Sequence, residues 1–249
     1  MITLNGHAIT PTIFPDKTSQ VWKLLGGTIW EDSTIVWNFE DEGEIMHLAQ
    51  LVSLVNTTWR YAKTHLHFPY MPYARQDKQD KPLNNVAFAL TPFSYLINSL
   101  HFYKVTAFDV HNPVFTRLMF TGFENILPEK EIAFAIEATQ PDLICYPDEG
   151  ASKRYPFIKH PSICATKVRN KLTGEITGTQ VNGDYTGKSI LIVDDICDGG
   201  MTFIKLAEAL KGAKEINLYI SHGLFTKGIA VLYNSGINRI FTKDGEIKR

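Results

Sequence analysis

Ser189-Ile-Leu-Ile-Val-Asp-Asp-Ile-Cys-Asp-Gly-Gly-Met-Thr-Phe-Ile-Lys-Leu-Ala-Glu-Ala-Leu-Lys211 is the stretch from which the fold can be read. Ile190 to Val193 is a short, unbroken, β-branched-rich apolar run. Such a run reads as a strand buried on both faces, the kind found in parallel sheets covered by helices. Asp194 and Asp195 are expected to end it, and Asp198-Gly199-Gly200 to make a tight turn. Thr202 is the expected cap of a helix that carries Phe203, Leu206, Ala207 and Leu210 on one face and stops at Gly212.

This order suggests a chemistry. Ligands of open α/β sheets bind at the carboxyl ends of strands. A glycine turn feeding a helix start offers backbone N–H groups to a phosphate. Carboxylates only accept hydrogen bonds, so two side by side suit the donor hydroxyls of a vicinal diol. A diol with a phosphate is a ribose phosphate. The plainer reading is that Asp194 and Asp195 start a turn or hold Mg²⁺. The whole strand–DD–xx–D–GG–x–T–helix pattern resembles the ribose-phosphate loop of type I phosphoribosyltransferases and of ribose-phosphate pyrophosphokinases (PRPP synthetases).

With 249 residues, 44% of them apolar, the chain can form one large or two small domains with ample core. A net charge of −1 gives no sign of nucleic acid or a membrane surface as partner. The start is already polar at Thr3 and Asn5, so no signal peptide is expected, and no apolar run nears the ~20 residues that span a bilayer. Cys145, Cys164 and Cys197 show no CxxC spacing, which favours free thiols in a reducing cytoplasm. Cys197, inside the key loop, is read as a spectator thiol or a reactive one.

Taken in order, Met1 to Thr10 reads as a hairpin turning at Asn5-Gly6. Strands are expected at 35–39, 66–70, 105–108, 143–146, 163–166, 216–220 and 239–242. Helices are expected at 44–62, 91–101 with Thr91 as cap and Pro92 at the first position, 128–139 and 227–234. A short helix is expected after Pro147-Asp148-Glu149-Gly150, and 170–178 reads as a mobile polar segment. Alternating strands and helices mean a parallel α/β fold, here as two similar halves, 1–130 and 131–249.

The first half makes the resemblance specific. Tyr73-Ala74-Arg75-Gln76-Asp77 is similar to the segment by which PRPP synthetases hold ATP, and Asp109-Val110-His111 to their D-x-H. Phe14-Pro15-Asp16 resembles their F-x-D, which reaches a neighbouring subunit's nucleotide. Pro147-Asp148-x-Gly150 resembles their P-D-x-G, Lys167-Val168-Arg169 their catalytic K-R-R, and His222-Gly223-Leu224-Phe225 their T-H-G-x-F. Each segment also has an ordinary reading, as a strand-end histidine or a solvated charged loop. Their shared order, over about residues 14 to 242, is what the ordinary readings do not explain.

The resemblance implies two tandem phosphoribosyltransferase-like domains, the first for ATP and the second for ribose phosphate. The implied reaction is Mg²⁺-dependent diphosphate transfer from ATP to the anomeric hydroxyl of ribose 5-phosphate, releasing AMP. It further implies that Lys167 and Arg169 are catalytic, and that Phe14, Asp16, Arg75, Gln76, Asp77 and His111 serve ATP. Asp194, Asp195, Asp198, Gly199, Gly200 and Thr202 would hold the sugar phosphate, and Asp109, His111 and Asp148 the metal. A homodimer or higher homo-oligomer is expected. The competing readings are a transferase that consumes PRPP and a non-catalytic, synthetase-like subunit.

Three departures matter. Family members usually continue beyond the position of Thr242, so weak or absent ADP and phosphate regulation is expected. The acid expected two residues after Asp16 is Thr18, which would loosen ATP specificity. The usual D-T-x-G-T is Asp198-Gly199-Gly200-Met201-Thr202, so a hydroxyl is lost at Gly199 and bulk is gained at Met201. That change, with the extra residues between Asp80 and Thr91, would weaken a cup for a terminal phosphate and open the way to an extended acceptor such as ADP-ribose; the alternative, and the preferred expectation, is that the loop binds ribose 5-phosphate in another backbone conformation.

Overall fold

Two units, Met1–Ile126 and Leu127–Arg249, each build their own sheet. The computed structural model describes the chain apart from residues 22–28, 60, 78–86 and 170–175, and at 167–169 and 176–178 it describes the backbone alone. In the first unit, β1 (Ile2–Leu4) and β2 (His7–Ile9) form the N-terminal hairpin, turning at Asn5-Gly6 as expected. A two-stranded ribbon follows, β3 (Thr12–Ile13) and β4 (Ser19–Gln20), then β5 (Asp32–Trp37), α1 (Glu44–Thr58), β6 (Lys63–Phe68), α2 (Leu90–Ser99), β7 (Lys104–Phe108), α3 (Pro113–Met119) and β8 (Phe123–Ile126). The sheet order is β2-β1-β5-β6-β7-β8, with β5 to β8 all parallel.

Trp37 is the centre of this unit's core. It is fully buried against Phe39, Phe68 and Phe93, with ring centroids 5.5–6.1 Å apart. Its indole N–H donates to Glu44 Oε2 at 2.8 Å, so the polar edge of the ring keeps a partner away from water. Leu48, Leu51, Val52 and Val55 supply the apolar stripe of α1.

The second unit runs α4 (Glu129–Thr139), β9 (Leu143–Tyr146), α5 (Glu149–Arg154), β10 (Ser162–Arg169), β11 (Ile176–Asn182), β12 (Ser189–Cys197), α6 (Met201–Ala209), β13 (Glu215–Gly223), α7 (Ala230–Asn234), β14 (Ile240–Thr242) and β15 (Gly245–Ile247). Its sheet order is β11-β10-β9-β12-β13-β14-β15, parallel from β10 to β14 with an antiparallel strand at each edge. The unbroken apolar run is buried on both faces. Ile190 and Ile192 pack with Phe203 and Leu206 of α6, while Leu191 and Val193 pack with Ile132 of α4 and Tyr155. Each of these four side chains, removed from water, contributes about 1.5–3 kcal/mol.

Several boundaries differ from the sequence expectation. β12 does not end at the paired aspartates; its backbone stays laddered to β13 as far as Cys197 opposite Gly223, because strand pairing uses backbone groups whatever the side chains. Thr202 does not cap α6. Gly200, in the left-handed region at φ 78°, precedes Met201, and no side chain caps that end. Thr91 and Pro92 lie inside α2, which starts at Leu90 after Ala89. The helix expected at 227–234 shortens to α7, because Gly228 at φ 76° holds a turn. The backbone of 176–178, expected in a mobile segment, is paired in β11 against β10, and the rest of that segment, 170–175, lies outside the described residues. Among the described residues no helix is long and apolar enough to cross a membrane.

Candidate functional site

The carboxyl end of β12 presents the paired aspartates. Asp195 is buried, at 2% exposure, and Asp194 is partly buried. Successive strand residues face opposite sides of the sheet, yet one cation serves both. Nη1 of Arg154, the last residue of α5, pairs with Asp195 Oδ1 and lies 3.4 Å from Asp194 Oδ1. Asp194 Oδ1 also accepts from the backbone N–H of Asp195 at 2.9 Å. Burial, and then the neighbouring Asp195 carboxylate, push the Asp194 carboxyl well above the usual range, and Arg154 only partly offsets this. Arg154 was not singled out in the sequence. The signal was physical: two adjacent acids at a buried strand end need a counter-charge, and α5 follows β9, the strand next to β12.

Beyond the aspartates, the turn at 198–200 is tied to the loop after β13. Leu224 N and Phe225 N donate to Cys197 O at 2.9 and 3.2 Å, and Thr226 N donates to Asp198 O at 3.2 Å. Thr226 Oγ1 donates to Asp198 Oδ1 at 2.7 Å, so the Asp198 side chain holds loop to loop. Phe225, in the left-handed region at φ 45°, folds its ring over Gly223, where a Cβ would come within 2.1 Å of it. Met201 projects from the first turn of α6 at 48% exposure. Cys197 is buried and its thiol is pushed up to about 12 by burial, which leaves no nucleophilic thiolate at neutral pH.

Asp148 caps α5, its carboxylate accepting from Ala151 N at 3.0 Å. Lys167 and Arg169 belong to β10 by their backbone, paired to Thr179 and Ile176, but their side chains lie outside the description.

In the first unit, Tyr73 adopts φ 61° and Gln76 N donates to Tyr73 O at 2.8 Å, a turn that leaves Arg75 and Gln76 exposed. Tyr73 Oη donates to Glu42 at 2.6 Å, and its hydroxyl is pushed up to about 12 by burial and by that carboxylate. Asp77 is buried and accepts from Asn112 Nδ2 at 2.6 Å. Asn112, also missed in the sequence, caps α3 with its Oδ1 at 3.1 Å from Phe115 N. Asp109 is fully buried at the end of β7 with φ 41°, and His111 is partly exposed. The structure thus brings Asp77 to the loop that carries Asp109 and His111. Phe14 and Asp16 lie at the tip of the β3–β4 ribbon. There Asp16 Oδ1 accepts from Thr18 N and Oγ1 at 3.0 and 2.7 Å, and those bonds hold its carboxyl below the usual range.

Among the described residues no three His, Cys, Asp or Glu side chains converge as a metal cage. Mg²⁺ does not need one, since it binds through one or two carboxylates, phosphate oxygens and water.

Residues 161–228, which contain β12 and both loops, match the Phosphoribosyl transferase domain. The ribose-phosphate pyrophosphokinase of Pyrococcus furiosus is 32% identical over 231 residues, 86% of this chain and 77% of the relative. That of Pyrococcus abyssi is 30% identical over 96% of this chain and 85% of the relative. The crystal structure of phosphoribosylpyrophosphate synthetase from Mycobacterium smegmatis shares the fold, with a TM-score of 0.77 at 19% identity over 94% of this chain and 78% of that one. With identity at this level along most of its length, the chain belongs to the ribose-phosphate pyrophosphokinase family.

Proposed function

We propose that the chain transfers the diphosphate of ATP to the anomeric hydroxyl of ribose 5-phosphate, giving PRPP and AMP. The observation that carries the reading is the Asp194–Asp195 pair at the carboxyl end of β12, followed by the Gly199-Gly200 turn into α6, in a chain of this family. In the reaction the sugar oxygen bonds to the β-phosphorus. The bond from that phosphorus to the α,β-bridging oxygen breaks, its electron pair leaves with AMP, and the hydroxyl proton passes to solvent. The protein's work is positioning and charge stabilisation.

Ribose phosphate is assigned to the second unit. Asp194 and Asp195 accept from the 2- and 3-hydroxyls, with Arg154 holding the pair in place. Backbone N–H groups at 199–202 receive the 5-phosphate. Asp198 acts by fixing the loop through Thr226, since a carboxylate turned to the phosphate would repel it. ATP is assigned to the first unit, to exposed Arg75 and Gln76. Asp77 and Asn112 hold that turn against the loop bearing His111, whose imidazole suits a phosphate oxygen. Mg²⁺, when bound, would sit with Asp148 and the phosphates and draw off negative charge. Asp109 is fully buried just past the end of β7. Lys167 and Arg169 neutralise charge on the transferring group.

Exposed Phe14 and Ile13 on the β3–β4 ribbon, at 38% and 57%, support a homo-oligomer in which the ribbon reaches a second copy. The free thiols support a reducing compartment. The test is incubation with Mg²⁺, ATP and either ribose 5-phosphate or ADP-ribose, following AMP and the pyrophosphorylated sugar by mass. AMP with PRPP is expected. ATP turnover with neither acceptor would refute the reading, and turnover with ADP-ribose alone would change its substrate.

A further inference from the structure

Gly199 has no side chain, and the stem of Lys227 lies over it. A Cβ at position 199 would be 3.5 Å from both Cδ and Cε of Lys227 and 3.7 Å from Cγ. Gly199 is not among the residues with positive φ, so its backbone would accept a side chain, and a Cβ there would rest in van der Waals contact with the lysine stem, which runs beside that position. The loop that carries Lys227 is fastened at Thr226, which donates to Asp198 through both N and Oγ1, and Gly228 N closes the turn on Phe225 O at 2.7 Å. The lysine therefore starts from a fixed point beside the 198–202 turn. It is exposed, and among the described residues its ammonium has no hydrogen-bond or ion-pair partner.

We propose that Lys227 is the cation that binds the 5-phosphate of the sugar, replacing the hydroxyl that a side chain at position 199 would supply. This rests on the reading of residues 194–202 as a ribose-phosphate site. The ammonium brings three donors and a full charge to a dianionic phosphate monoester, more than one hydroxyl offers. Contact of the stem with Gly199 narrows the rotamers of an otherwise loose side chain, so less entropy is lost on binding. The loop accordingly takes a terminal phosphate despite the glycine at 199, and Met201, exposed at the first turn of α6, does not replace that donor.

Lys227→Met keeps the stem and removes the charge. It should raise KM for ribose 5-phosphate at least ~10-fold, the scale of one charge-assisted hydrogen bond, while KM for ATP changes less than about twofold. Ribose 5-phosphate should raise Tm in wild type and do so much less in Lys227→Met, a readout that needs no turnover. Lys227→Arg should recover part of the affinity. Gly199→Thr should do so in a Lys227→Ala background, where the added hydroxyl is the only replacement for the lost ammonium. An unchanged KM and an unchanged Tm shift in Lys227→Met would overturn the role of Lys227 and leave the proposed reaction standing if wild type turns over. Wild type that binds ribose 5-phosphate without turnover would refute the reaction, and the Tm shift would still decide Lys227. No binding by wild type would refute both.

Discussion

Asn112 Nδ2 donates to Asp77 Oδ2 across 2.6 Å, joining the turn at 72–77 to the N-terminus of α3. One amide does two jobs here, since its oxygen also caps the helix at Phe115 N. Asn112→Ala should therefore cost about 2 kcal/mol, from a lost cap and a hydrogen bond to a charged group. Asn112→Asp keeps the cap but sets a second carboxylate against buried Asp77, so it should raise KM for ATP and cost at least as much stability. Urea unfolding and ATP kinetics on both variants give the answer. Equal ATP KM in wild type and Asn112→Asp would show that this tie does not position the nucleotide turn.

Arg154 is the second test. Its guanidinium is the counter-charge for Asp194 and Asp195, and its side chain is only 8% exposed. Arg154→Met should destabilise the fold by about 3–5 kcal/mol, the usual cost of stranding one side of a buried ion pair. Adding Asp194→Asn should recover part of that loss. If the double variant is no more stable than Arg154→Met, the three side chains are not coupled as described.

Asp194 also predicts a pH dependence. Its carboxyl is held above its unfolded value, so the unfolded chain ionises first, near pH ~4. From there upward the fold loses stability until the pH passes the folded value. Asp194→Asn removes the titration. Its Tm should match wild type near pH ~4 and exceed it increasingly towards neutrality, while affinity for the sugar falls. A Tm difference that narrows as pH rises would contradict the assignment.

Lys167→Ala should lower kcat at least ~10²-fold, the loss expected for one donor to the transition state. The affinity for ribose 5-phosphate, read from the ligand-induced Tm shift, should change far less. Equal and small effects on both would show that the residue is misassigned.

Cys145 and Cys197 should be inert. Both are buried, and burial pushes both thiols up to about 12. Labelling with a disulfide reagent at pH ~8 should be slow for these two in the folded protein and complete in urea. Rapid labelling of Cys197 that ribose 5-phosphate blocks would instead make it part of the site.

The sheet strands were legible where burial imposed a pattern. Ile190 to Val193 announced a two-faced strand, and Leu143–Tyr146 was placed with the observed bounds. What escaped was structure without a hydrophobic signature. In α3 only Thr116 is buried, so no apolar stripe marked it, although Asn112-Pro113 is a helix-start signal. Only 176–178 of β11 fall in the polar segment expected to be mobile, and no strand was expected over its remaining residues. In the site, the aspartates and the glycine turn were readable because adjacent residues carry the pattern. Arg154, Asn112, Thr226 and Lys227 act on residues 28 to 41 positions away. A sequence shows that a buried acid needs a partner, but not which distant residue folding will deliver.

The ring of Phe225 over Gly223 carries a consequence for how this sequence can drift. Any side chain at 223 must evict the ring, whose Cε2 lies 2.1 Å from where the Cβ would stand. Displacing Phe225 pulls on the backbone bond from its N–H to Cys197 O, and with it the loop that grips Asp198. A library randomised at residue 223 and screened only for folding should be enriched in glycine, and the other residues it returns should come with the Phe225 ring turned away.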